Sequence, residues 1–114
     1  EMANTFKLKT KANVDASLVT VYTVPSSTTT VIIGLTLANV KGASITADAQ
    51  IVTASSSGEN ADDVYVVKDI PLPAGSSVEI MGGNKIILEA GDIVKVKGST
   101  TNCLDSILSI MEIT

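Results

Sequence analysis

A chain of 114 residues with net charge −4, no histidine and one cysteine is bounded before any motif is read. It has room for one domain, residues 1–114, able to bury roughly two-thirds of its unfolded surface. Without histidine, Cys/His and Ser/His/Asp catalysis and His-ligated metal sites are excluded, and a lone cysteine excludes an intramolecular disulfide.

Hydrophobic residues make up 45% of the chain but aromatics only 3%, and tryptophan is absent. The core must therefore be aliphatic, built from Val, Ile, Leu and Ala, many of them β-branched and suited to a pleated surface. An acidic balance with few aromatics lacks the basic, stacking face of a nucleic-acid binder. No apolar run approaches the ~20 residues of a membrane-spanning helix. No charged-then-apolar leader is readable, so no secretory signal is expected. Met2 reads as the natural start, with Glu1 as an addition ahead of it.

Short alternating segments separated by turn residues predict strands throughout. Thr5 to Lys11 places Phe6 and Leu8 on one face and Lys7, Lys9 and Lys11 on the other. The lysine row reads as a solvated strand face that also discourages sheet-to-sheet aggregation. A second strand runs from Ser17 to Val24 and stops at Pro25. Val31 to Val40 is the expected central strand, with Val31, Ile33, Leu35 and Leu37 on one face and Ile32 and Val40 on the other. Gly34 within it predicts a bulge or a close backbone approach. In ITADAQIV, Ile45, Ala47, Ala49 and Ile51 face inward against Thr46, Asp48 and Gln50.

Residues 53–63 form a long polar loop in which Glu59, Asp62 and Asp63 are the weak candidates for a metal ion. Their spacing completes no calcium loop, so the expected metal is none. VYVVKDI then leads into two echoed units, LPAGSSVEI (72–80) and LEAGDIVKV (88–96). Each reads as strand, reversal, strand, with Leu72 to Gly75 framed as a type I turn carrying Pro73 at its second position. Gly82, Gly83 and Asn84 between them predict a tight hairpin. Asp92 is placed to cap its turn with a side-chain oxygen. Glu89 and Asp92 make a poor acid/base pair, because nothing indicates a pocket that would shift either of them.

Cys103 reads as a buried small hydrophobe. The last strand, to Ile113, is apolar on both faces: Leu104, Leu108 and Ile110 point one way, and Ile107, Met111 and Ile113 the other. In so small a domain one sheet face normally meets water, so Ile107, Met111 and Ile113 are candidates for a subunit contact, with extra burial inside the chain as the alternative. Eight or nine such strands predict an all-β, antiparallel two-sheet sandwich. Jelly-roll and immunoglobulin-like connections both remain open, and no cofactor is expected.

ANTFKLKTKANV, SLVTVYTVPSSTTTVIIGLTLANV, VYVVKDIPLPAGSSVEI, KIILEAGDIVKVK and SILSIMEIT, in this order, resemble a group of small proteins from marine tailed phages, notably those infecting cyanobacteria. The resemblance spans nearly the whole chain, apart from the loop SSSGENADD. Proteins of that group are usually described only as virion structural proteins or left uncharacterised. The resemblance therefore implies a particle component, made in the host cytoplasm and located in the virion, and carries over no catalytic residue. Its expected role is non-enzymatic: decorating the head, or sitting at the neck, tail or fibre base, among other virion proteins and as a symmetric homo-oligomer. The alternative is a module binding host-surface glycan, for which only Phe6, Tyr22 and Tyr65 could supply aromatic platforms.

Overall fold

The computed structural model describes residues 3–54 and 62–114. Among the described residues nine strands follow one another: β1 (Asn4–Val14), β2 (Val19–Thr23), β3 (Thr29–Asn39), β4 (Ile45–Val52), β5 (Val64–Leu72), β6 (Ser77–Glu79), β7 (Ile86–Leu88), β8 (Ile93–Lys97) and β9 (Leu104–Ile113). One sheet has the order β1-β9-β3-β6, with β7 also on β3; the other has the order β2-β8-β4-β5. Every pairing is antiparallel.

The pairs β1·β9, β2·β8, β3·β6/β7 and β4·β5 are the rungs of one long antiparallel ribbon. Rolling that ribbon brings β9 against β3 and β8 against β4, which are the two remaining pairings. This is the jelly roll, and it decides between the two strand orders that spacing left open. Long-range pairing fixes the topology, since β1 and β9 join opposite ends of the chain.

Between the sheets lie Ile32, Leu35, Leu37, Leu88, Val94, Val96, Leu104, Leu108 and Ile110, with Val14, Val24 and Cys103 closing the ends. Each fully buried aliphatic side chain stabilises by roughly 1.5–3 kcal/mol relative to exposure. The inward set of β4 is as its alternation predicts: Ile45, Ala47, Ala49 and Ile51 are all buried.

β3 departs from its expected phase. Its register shifts between Ile32 and Gly34, so Ile32, Leu35 and Leu37 face the core while Val31 and Ile33 turn outward. The bulge predicted at Gly34 is present, and it resets the alternation that a straight reading carries through. Glu79 holds it: Oε2 accepts from Leu35 N at 2.6 Å, and Oε1 accepts from Met81 N and Gly82 N at 2.9 Å each. A Cβ at Gly34 would sit 3.2 Å from Glu79 Oε2, so the glycine admits the carboxylate.

Residues 82–84 make the tight turn expected of them, Asn84 N donating to Met81 O, but it is not the tip of a hairpin. β6 and β7 do not pair with each other; they pair in turn with Thr36–Ala38 and Thr30–Ile32 of β3. They are two halves of one strand, and Gly82 and Gly83, both at positive φ, carry a detour between them. The echoed turns differ from expectation by one residue. Ser76 N donates to Pro73 O and Asp92 N to Glu89 O, which puts Gly75 and Gly91 at the third position with φ of 75° and 90°. A positive φ there is the signature of a type II rather than a type I turn. Each turn carries the chain from one sheet to the other.

A buried polar side chain ties each of these crossovers. The Asn39 amide donates to Ala43 O, Leu72 O and Pro73 O and accepts from Lys41 N. Asp92 caps its own turn, as predicted, by accepting from Glu89 N, and its other oxygen accepts from Ala54 N.

Candidate functional site

The most distinctive surface is the outer side of the β1-β9-β3-β7 sheet. β9 alternates strictly: Leu104, Ser106, Leu108, Ile110 and Glu112 are buried inward, and Ile107, Ser109, Met111 and Ile113 face out. Its two apolar faces are therefore as the sequence predicts, and among the described residues nothing covers the second one.

The pairing register shows what shares that face. Met111 stands opposite Phe6 on β1 and opposite Val31 on β3, and Val31 stands opposite Ile87 on β7. Directly paired side chains lie about 5 Å apart, so Phe6, Met111, Val31 and Ile87 form one apolar row across four strands. Leu8 and Ile33 extend it along the strands, and Ile107 lies opposite Thr10. Phe6 is 72% exposed, Ile87 67%, Leu8 63%, Ile107 44% and Ile33 37%. Within these strands and β6, the charged residues on this face are Asp105 and Glu79, and backbone N–H groups engage both carboxylates. Isolated exposed apolar side chains are ordinary, but a contiguous patch is not.

Sequence reasoning found the β9 part of this face, Ile107, Met111 and Ile113, and missed Phe6, Leu8, Val31, Ile33 and Ile87. The signal for Phe6 and Leu8 was present, since they alternate with lysines. Its sense was reversed by the fold. Lys7, Lys9 and Lys11 pair with Ile110, Leu108 and Ser106, all of which face inward, so the lysines point to the interior side of the sheet at its open edge. Lys7 and Lys11 stay exposed and Lys9 half-buried, so the row is solvated as expected, but on the side of the sheet that faces the second sheet. Inward-pointing charges on an edge strand oppose the addition of a further strand there.

Lys7 anchors a buried polar cluster. Its Nζ lies 2.8 Å from Glu112 Oε1. The Tyr22 hydroxyl donates to Glu112 Oε2 at 2.6 Å and shares a 2.7 Å hydrogen bond with Thr30 Oγ1. Hydrogen bonding to Lys7, then to Tyr22, holds the Glu112 carboxyl below the usual carboxylate range against the opposing effect of burial. Burial first, and the Glu112 contact second, push Tyr22 up to about 12. Lys9 sits 5.9 Å from the Tyr22 ring centre. Every member has a partner, and the cluster reads as a strut between the sheets.

The outer side of the second sheet is polar. Lys95 stands opposite both Thr20 and Gln50, Gln50 opposite Tyr65, and Lys97 opposite Asp48. Asp48 is buried. Its Oδ1 accepts from Asp69 N at 2.7 Å, and its Oδ2 lies 3.7 Å and 3.9 Å from the Lys68 and Lys97 ammonium groups. Phe6 and Tyr65, the two exposed aromatics, therefore occupy opposite faces, while Tyr22 is buried. They do not converge on one glycan platform.

Among the described residues the acidic candidates do not assemble either. Asp92 is spent on its turn, and Glu89 lies at the same turn. Asp62 and Asp63 flank the polar loop, whereas Glu59 lies outside the described residues, as do Glu1 and Met2. Among the described residues no three metal-ligating side chains come together. A groove of about 350 Å³ lies where β1 bends toward β2, lined by Lys11, Val14, Asp15, Ser17, Leu18 and Val19. Asp15 Oδ1 accepts from Asn102 N there, so its carboxylate too has a structural role.

Strand order and a closed aliphatic core define the chain as a jelly roll in the architectural sense. Solved structures bear the fold out. A chain of infectious bursal disease virus, Gx strain, superposes with a TM-score of 0.58 at 12% identity, over 96% of this chain and 32% of that one. A chain of a second infectious bursal disease virus particle gives 0.54 at 9% identity, over 96% and 30%. A chain of the acid-stable capsid of Helicobacter pylori bacteriophage KHP30 gives 0.53 at 9% identity, over 100% of this chain and 94% of that one. The chain thus spans about a third of the bursal-virus chains and nearly all of the phage chain. At these identities the likeness is one of fold. No protein-family model matches the chain, and no curated protein does.

Proposed function

We propose that the chain is a non-enzymatic structural component of a phage particle, an accessory of the capsid shell, held in place through the outer face of its β1-β9-β3-β7 sheet. One observation carries the reading: a sandwich whose Asn39, Glu79 and Asp92 side chains bind its own turns and bulge leaves one largely apolar face uncovered among the described residues. Such a face is stable in water only at a cost, and contact with protein removes that cost. The jelly-roll likeness to a chain of a phage capsid, at matching length, supports a place in the shell. The ordered resemblance to marine tailed-phage proteins supports the same class of particle.

The test is mass spectrometry on salt-washed particles of the phage that encodes the chain. The protein is expected in a fixed, multiple copy number per particle. Finding it only in the infected-cell lysate and never in washed particles would overturn the reading.

A further inference from the structure

We infer that the partner covering this face is a second copy of the chain, the two outer β1-β9-β3-β7 faces packing on each other about a two-fold axis. The inference rests on the particle role proposed above and names the occupant of the same surface.

The first argument is extent. A free aromatic side chain presents roughly 150–250 Å², and large aliphatic ones somewhat less. At the exposures of Phe6, Leu8, Ile33, Ile87 and Ile107, together with the part-buried Val31, Met111 and Ile113, the patch offers on the order of 600 Å². Two copies face to face would bury about 1,200 Å², the lower bound of specific, stable interfaces.

The second argument is charge. In a two-fold contact each patch meets itself, so any uncompensated charge near the axis meets its like. The chain carries −4 overall, yet the row Phe6, Met111, Val31 and Ile87 is uncharged, and Asp105 and Glu79, whose carboxylates accept from backbone N–H groups, lie toward one end, away from an axis through that row. The opposite outer face, with Lys68, Lys95, Lys97 and Asp48, lacks that property. The third argument is shape. A twisted sheet packs best on another sheet of the same hand, at about 10 Å separation, and a second copy supplies one. Addition at the edge of β1 is the rival route to a dimer, and Lys7, Lys9 and Lys11 oppose it by placing like charges across the junction.

The experiment is sedimentation velocity on the full chain over a range of concentrations, beside Ile87→Glu, Phe6→Glu and, on the other sheet, Tyr65→Ser. Ile87 and Phe6 are largely exposed, so both variants should fold, which circular dichroism checks. The expected result is a dimer for the parent chain and for Tyr65→Ser, with association at least about tenfold weaker for the two glutamate variants. A parent chain that stays monomeric at every concentration, or an assembly indifferent to both glutamates, overturns the inference. A monomer found in washed particles removes the second copy and leaves the particle role standing; a dimer absent from particles does the reverse.

Discussion

Tyr22 and Glu112 join the two sheets directly: the hydroxyl on β2 donates to the carboxylate on β9 at 2.6 Å. Glu112 is held below its ordinary value of 4.5, mainly by Lys7 and then by Tyr22. A carboxyl whose folded pKa lies below its unfolded one contributes stability that is fully present above the unfolded value and is lost as pH falls through the folded one. The melting temperature should therefore decline below about pH 4.5. In Glu112→Gln the midpoint at neutral pH should be lower, and that part of the acid decline should vanish. Equal acid decline in both proteins would contradict the assignment.

At the alkaline end the same pair predicts a spectroscopic result. Tyr22, raised to about 12 from 10.0, should remain a phenol in the folded protein until far above the ordinary range. Its contribution to stability is present below pH 10.0 and is lost as pH rises toward 12. Tyrosinate absorbance against pH, compared with Tyr22→Phe, isolates this step, and Glu112→Gln should move it to lower pH.

Asp48 fixes a break in the β4·β5 ladder. Asp69 has a positive φ of 54°, and its N–H is satisfied by the buried Asp48 carboxylate. Asp48→Ala leaves that donor unmet and should destabilise by about 1–3 kcal/mol in urea unfolding. Asp48→Asn keeps an acceptor for Asp69 N and should lose less.

Gly91 and Gly42 separate two reasons for a glycine. Both have positive φ, but a Cβ at Gly91 would lie 3.0 Å from Ala54 Cβ, whereas one at Gly42 would meet nothing within 4 Å. Alanine at either site costs roughly 1 kcal/mol in backbone strain. Gly91→Ala should cost measurably more than Gly42→Ala in the same denaturant titration.

Local features of this fold were legible where local physics decides them. β4 alternates without interruption, so its inward set follows from the sequence. Cys103 is buried, Asp92 caps its turn, and β9 has two apolar faces, each foreseeable from side-chain type and spacing. Three things escaped. Gly34 announced a bulge, but a bulge shifts every later side chain by one face, and only the pairing register shows where the shift begins. Lys7, Lys9 and Lys11 alternate with Phe6 and Leu8 whichever way β1 faces; which set points outward depends on β9, about a hundred residues away. The carboxylate of Glu79 and the amide of Asn39 act on backbone groups distant in sequence, so no motif marks them. The apolar face was for these reasons visible only in its β9 third.

The central claim is that the row Phe6, Met111, Val31 and Ile87 is covered in the assembled particle. A residue-resolution electron microscopy reconstruction of intact particles tests it most directly. The account predicts protein packed on that row, with Phe6 and Ile87 out of water. A map in which the row faces solvent, and the chain is held instead through the Lys95 and Lys97 side, would contradict it.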